Sequence, residues 1–143
     1  MSKPTFINVY GAGNSILIAP MAGWGGGYRE TGEHGKAKLD DPDLAALFND
    51  LMDRSDIRLG AYQQGVPVPY AKTGYGKAAA MARRHGAPLL CAQLFREENG
   101  KLTLQLFGPV PGERGLAPAG APENPVDLEE AIVRIQTLFA ANS

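Results

Sequence analysis

Apolar residues recur along this chain in two rhythms, and the rhythms predict its elements. Leu44, Leu47, Phe48, Leu51 and Met52 fall at helical spacing, behind Asp41-Pro42, which reads as an N-cap followed by a proline at the first helical position. The C-terminal segment repeats that grammar: Asn124 caps, Pro125 opens, Asp127 sits in the first turn, and Leu128, Ala131, Ile132, Ile135, Leu138 and Phe139 form one stripe. A third helix is expected from about Tyr75 to His85, small-residue rich and ended by Gly86, where a left-handed conformation costs little.

The second rhythm is strand-like. Phe6–Val9 and Ser15–Ala19 flank Gly11-Ala12-Gly13-Asn14, and Leu89–Arg96 and Leu102–Phe107 flank Glu98-Asn99-Gly100, so each pair reads as a hairpin. The Asn-Gly pair favours a type I′ turn. Leu102, Leu104 and Leu106 alternate with Thr103 and Gln105, giving one buried and one wet face. A further strand is expected from Tyr28 to Leu39. Each half therefore runs hairpin, glycine- or proline-rich connection, helix. The expected fold is α+β: a two-layer sandwich, an antiparallel sheet built from two hairpin-plus-helix halves with helices on one face. At 143 residues the chain is expected to form one domain over 1–143. Met21–Gly27 and Phe107–Pro122 are rich in glycine and proline and read as loops.

Charge narrows the function. The formal net charge of −1 supplies no overall field to hold a polyanion, which argues against a general nucleic-acid binder. The distribution is uneven: Glu30 to Asp56 holds eight acids against Lys36, Lys38 and Arg54, while Ile57 to Leu104 holds seven bases against Glu97 and Glu98. No apolar run reaches signal-peptide or membrane-span length, and the lone Cys91 can form no internal disulfide, so a cytoplasmic location is expected.

Candidate chemistry is sparse. Gly11-Ala12-Gly13 begins like a dinucleotide fingerprint, but Ile16 stands in place of the third glycine and a strand follows. Gly76-Lys77 has the look of a phosphate loop, yet Ala71 occupies the first glycine position and Ala78 replaces the magnesium-binding hydroxyl, leaving at most a weak anion site at the helix start. Cys91 and His85 could approach across Gly86, but a thiol among apolar strand residues is inert. His34 with Glu30 and Glu33 lacks a metal-binding spacing. No metal, cofactor or catalytic residue is expected, and the chain is expected to bind rather than to catalyse.

The order of elements, with the acidic-capped helix ending near Arg54-Ser55 and then Gly74-Tyr75-Gly76-Lys77, resembles immunity proteins of bacterial contact-dependent growth inhibition systems. The resemblance spans nearly the whole chain. It implies a cytoplasmic antitoxin that binds the C-terminal toxin domain delivered by a neighbouring cell, often a nuclease, and blocks its active site or substrate surface. It transfers no binding residue. The residues themselves suggest an interface in which Trp24 and Tyr28 supply apolar anchoring while Glu30, Glu33, Asp50 and Asp53 complement a basic partner. Two alternatives stand beside it: a small-molecule or nucleotide-handling enzyme using the glycine loops, and a secretion chaperone or adaptor that would form a homodimer.

Overall fold

The computed structural model describes residues 3–24, 27–58, 73–109 and 116–142. The first hairpin comprises β1 (Thr5–Ala12) and β2 (Ser15–Trp24), turned by Gly13 at φ 60°. The chain then runs back along β2 in two pieces, β3 (Gly27–Glu30) and β4 (Gly35–Lys38), where one strand was expected from Tyr28 to Leu39. Helix α1 (Leu44–Asp53) and helix α2 (Gly74–His85) follow. The second hairpin is β5 (Leu90–Arg96) and β6 (Leu102–Pro109), then come β7 (Leu116–Pro118), β8 (Glu123–Val126) and helix α3 (Leu128–Ala141).

Every ladder in the sheet is antiparallel, in the order β3-β2-β1-β5-β6-β7, with β4 also on β2 and β8 also on β6. The two halves repeat about the central β1–β5 pair. Each contributes an inner strand, a long second strand, two short strands along its outer edge, and a helix. The α+β class and the antiparallel sheet built from two hairpin-plus-helix halves, as read from the sequence, are what forms.

Strand alternation divides the interior. Ile7, Val9, Ile16, Ile18, Leu90, Ala92, Leu94, Leu102 and Leu104 face α1 and α3, which bury Leu44, Phe48, Leu51, Met52, Ala131, Ile132, Ile135 and Phe139 against them. Each large apolar side chain so buried contributes about 1.5–3 kcal/mol before entropy is subtracted. Gly11 is small for a reason: a Cβ there would lie 2.3 Å from the Phe139 ring. The alternate residues Tyr10, Ala12, Leu17, Ala19 and Cys91 face the other way and meet α2 through Ala78, Met81 and Ala82. Thus α1 and α3 share one face as expected, whereas α2 adds a layer on the opposite face. Its small side chains allow this close approach. At its start, a Cβ on Gly74 would come within 2.7 Å of Ala19 Cβ.

Local details differ from the sequence expectation where short-range bonds compete. Asp41 does not cap α1; its Oδ1 accepts the Asp43 N–H at 2.8 Å in a turn, and the helix begins at Leu44. Asn124 and Pro125 lie in β8, joined by a cis peptide bond, and α3 starts at Leu128 behind Asp127. The stretch Phe107–Pro122, expected as a loop, carries the end of β6 and all of β7. In the second hairpin only Gly100 has positive φ (86°), and Glu97 and Lys101 still bond across it, so the turn spans three residues rather than adopting type I′. Helix α2 stops as expected, with Gly86 at φ 60°.

Candidate functional site

At the end of the sheet where β1 begins, the β1–β2 ladder stops at the Ile7–Pro20 pair. Ser55, just past α1 and fully buried, takes over there. Its hydroxyl accepts the Phe6 N–H at 2.9 Å and lies within donating distance of Met21 O (2.7 Å) and Phe6 O (3.0 Å). The next residues continue the join, with Asp56 bridging Ala22 and Gly23 N–H bonded to Asp56 O. Gly23 has no room for a side chain, since a Cβ would sit 2.4 Å from Arg58 O.

This lock presents an aromatic cluster on the α2 side of the sheet. Phe6 and Phe95 are register partners with ring centroids 6.2 Å apart, and Tyr28 meets Phe6 edge-on at 5.5 Å. Tyr28 is 52% exposed, one of few large hydrophobics turned to water. Trp24 closes β2 opposite Gly27, and its side chain lies outside the described part of the structure.

The four carboxylates singled out in the sequence do not form one open acidic face. Glu30 turns to the start of α2, where Oε1 accepts Gly74 N–H at 2.6 Å and Oε2 accepts Tyr75 N–H at 3.3 Å. A negative charge there complements the helix dipole, and Thr73 Oγ1 caps Gly76 N–H beside it. The anion site considered at Gly76-Lys77 is therefore served from within the chain. On the α1 side, Glu33 and Asp50 both reach Arg54, at 3.0 and 3.4 Å, and all three side chains are about half exposed. These carboxylates, Asp50 foremost, hold the Arg54 guanidinium above its ordinary pKa. Asp53 lies 3.8 Å from Arg96, and its carbonyl accepts from Lys3 Nζ. Glu30 and Glu33 thus diverge, and among the described residues no three His, Cys, Asp or Glu side chains gather as metal ligands would.

A small cavity of about 250 Å³ lies between Tyr28 and α2, lined in part by Asn8, Tyr10, Met21 and Glu30. Asn8 Nδ2 donates to Tyr10 Oη at 3.2 Å. Burial, with help from the nearby Glu30 charge, raises the Tyr10 phenol so that it stays protonated. The same two causes push the Cys91 thiol up to about 12, which suits a packing role and not a nucleophile. His85 points elsewhere, packing near Gly13 and a groove beside β4. Sequence reasoning missed Phe6, Phe95 and Ser55, because their meeting depends on strand register and on a helix end that no local pattern encodes.

No helix among the described residues is long and apolar enough to cross a membrane. No protein-family model matches the chain, and no curated protein matches it. Solved structures do share its fold. A protein of unknown function from Neisseria meningitidis superposes with a TM-score of 0.60 at 10% identity, covering 97% of this chain and 94% of that one. A chain of the CdiA-CT/CdiI toxin and immunity complex from Yersinia pseudotuberculosis superposes with a TM-score of 0.61 at 10% identity, covering 99% of this chain and 96% of that one. The likeness of fold therefore covers nearly the full length of the chain.

Proposed function

We propose that this chain is an immunity protein that binds a cognate secreted toxin domain, a nuclease, in the cytoplasm and neutralises it by occupying its working surface. The observation that carries the proposal is the end-to-end likeness of fold to a chain of a toxin and immunity complex. The chemistry agrees in kind: Cys91 and Tyr10 are buried in protonated form, and the α2 start is filled by Glu30, while Tyr28 stands exposed on an aromatic base as an anchor would. The chain acts by binding and not by turnover.

The test is co-purification with the toxin domain encoded beside this chain's gene, followed by association kinetics. Tyr28→Ala should speed dissociation. A double charge reversal, D50K/D53K, should slow association at low salt while circular dichroism stays unchanged. Unchanged kinetics in D50K/D53K would remove those two carboxylates from the interface, and absence of any complex at micromolar concentration would remove the proposal.

A further inference from the structure

A groove of about 500 Å³ opens between β4 and the last turns of α2. The register sets Lys36 opposite Leu17 and Lys38 opposite Ser15, and Leu17 belongs to the layer under α2. Both lysine side chains therefore leave the sheet on the α2 side, two residues apart on one face. Helix α2 brings Arg84 and His85 to the same groove, beside Met81. Among the described residues none of these four bases is in an ion pair. One carboxylate, Asp41, lines the groove, and its Oδ1 already accepts the Asp43 N–H. The contrast with the acidic segment is direct: Glu33, Asp50 and Asp53 each have an arginine within 4 Å, and Glu30 is bonded to a helix start. Beside β4, therefore, the described residues gather four bases without an ion pair against one carboxylate.

We propose that this groove docks an acidic segment of the partner protein, with carboxylates on Lys36, Lys38 and Arg84 and an apolar side chain against Met81. The proposal rests on the reading of the chain as a toxin-binding protein and adds the chemistry of the partner's surface. Protein is favoured over nucleic acid by the lining itself, which sets the apolar side chain of Met81 beside the bases. A phosphate backbone has nothing apolar to lay there, and a net charge of −1 gives no long-range pull on a polyanion. Lysines on an edge strand also discourage stray strand pairing. That role needs no further bases delivered from a helix in another layer.

The probe is a short fluorescent peptide of interspersed glutamate and leucine, read by anisotropy against the full chain. A lysine–leucine peptide and a single-stranded oligonucleotide of matched charge serve as comparisons. The glutamate peptide is expected to bind, to weaken with added salt, and to lose at least about tenfold in affinity to K36E/R84E, both sites being at the surface. Equal or tighter binding of the oligonucleotide, failure of the glutamate peptide to bind, or peptide binding that survives K36E/R84E would overturn the proposal. The two ideas fail separately. If K36E/R84E neutralises the toxin domain as well as the parent chain does, the groove is refuted and the immunity function stands. If the parent chain captures the glutamate peptide through these bases but no toxin domain, the groove stands and the immunity function is refuted.

Discussion

Ser55→Ala removes one oxygen from the place where α1 is tied to the sheet. The hydroxyl is fully buried and serves the backbone at Phe6 and Met21, filling the position a strand partner would occupy beyond the Ile7–Pro20 pair. Alanine leaves the Phe6 N–H without that acceptor and forfeits the bond to Met21 O. A buried donor left unsatisfied costs about 1–3 kcal/mol, and an ordinary lost hydrogen bond about 1 kcal/mol, so the expected loss is about 2–4 kcal/mol. Unfolding entropy for a chain of this length is about 0.3 kcal/mol/K, which converts the loss to a fall in Tm of about 7–13 °C. The assay is thermal unfolding by circular dichroism, supported by urea titration with the slope checked for constancy. Thr137→Ala is the control, because that hydroxyl also bonds a carbonyl, Val133 O at 2.8 Å, but does so in water on α3. Its effect should stay within about 0.5 kcal/mol. If Ser55→Ala moved Tm no more than Thr137→Ala, the lock between α1 and the sheet would carry no weight and the placement of the aromatic cluster would need another cause.

Other consequences follow from single contacts. Glu30→Gln keeps the shape but removes the charge at the α2 start, and should lower stability by about 0.5–1 kcal/mol, less at high salt; no change in urea midpoint would contradict the capping role. Cys91, with its thiol pushed up to about 12, should resist iodoacetamide at pH 8 in the folded chain and react readily in urea. Because its folded pKa lies above the unfolded value of 9.0, it favours folding fully below pH 9 and loses that contribution as pH rises toward 12; Cys91→Ala should flatten part of the alkaline fall in Tm. Gly11→Ala drives a methyl group into the Phe139 ring and should cost about 1–3 kcal/mol, with the loss recovered in part by Phe139→Leu; an unchanged Tm would mean that α3 can shift freely.

Much of the fold was legible because it is written locally. Alternation in Leu102–Leu106, the stripes of α1 and α3, and glycines at 13, 86 and 100 specify two hairpins and three helices before any tertiary contact is considered. The side on which α2 packs was not legible. Ala78, Met81 and Ala82 form a stripe too small to announce itself, and only the other parity of β1 and β2, through Tyr10, Ala12, Leu17 and Ala19, shows where it belongs. Helix starts slipped by two or three residues because Asp41 satisfied a turn N–H and because Asn124-Pro125 entered a strand.

The site was harder, for an electrostatic reason. Sequence counts acids but not their partners, and Arg54 and Arg96, remote along the chain from Glu33 and Asp53 respectively, offset charge that composition had assigned to an open face. Tyr28 was singled out only as the neighbour of Trp24, the conspicuous aromatic of a glycine-rich stretch. Its supports Phe6 and Phe95 were not, since only register brings them together.

Titration of a candidate cognate toxin domain's activity with this chain decides the matter most directly. Activity should fall linearly and vanish near one molar equivalent, with the added protein recovered intact in a stable complex. Full activity in the presence of a large molar excess, with both proteins folded, would mean that the chain is not an immunity protein for that toxin.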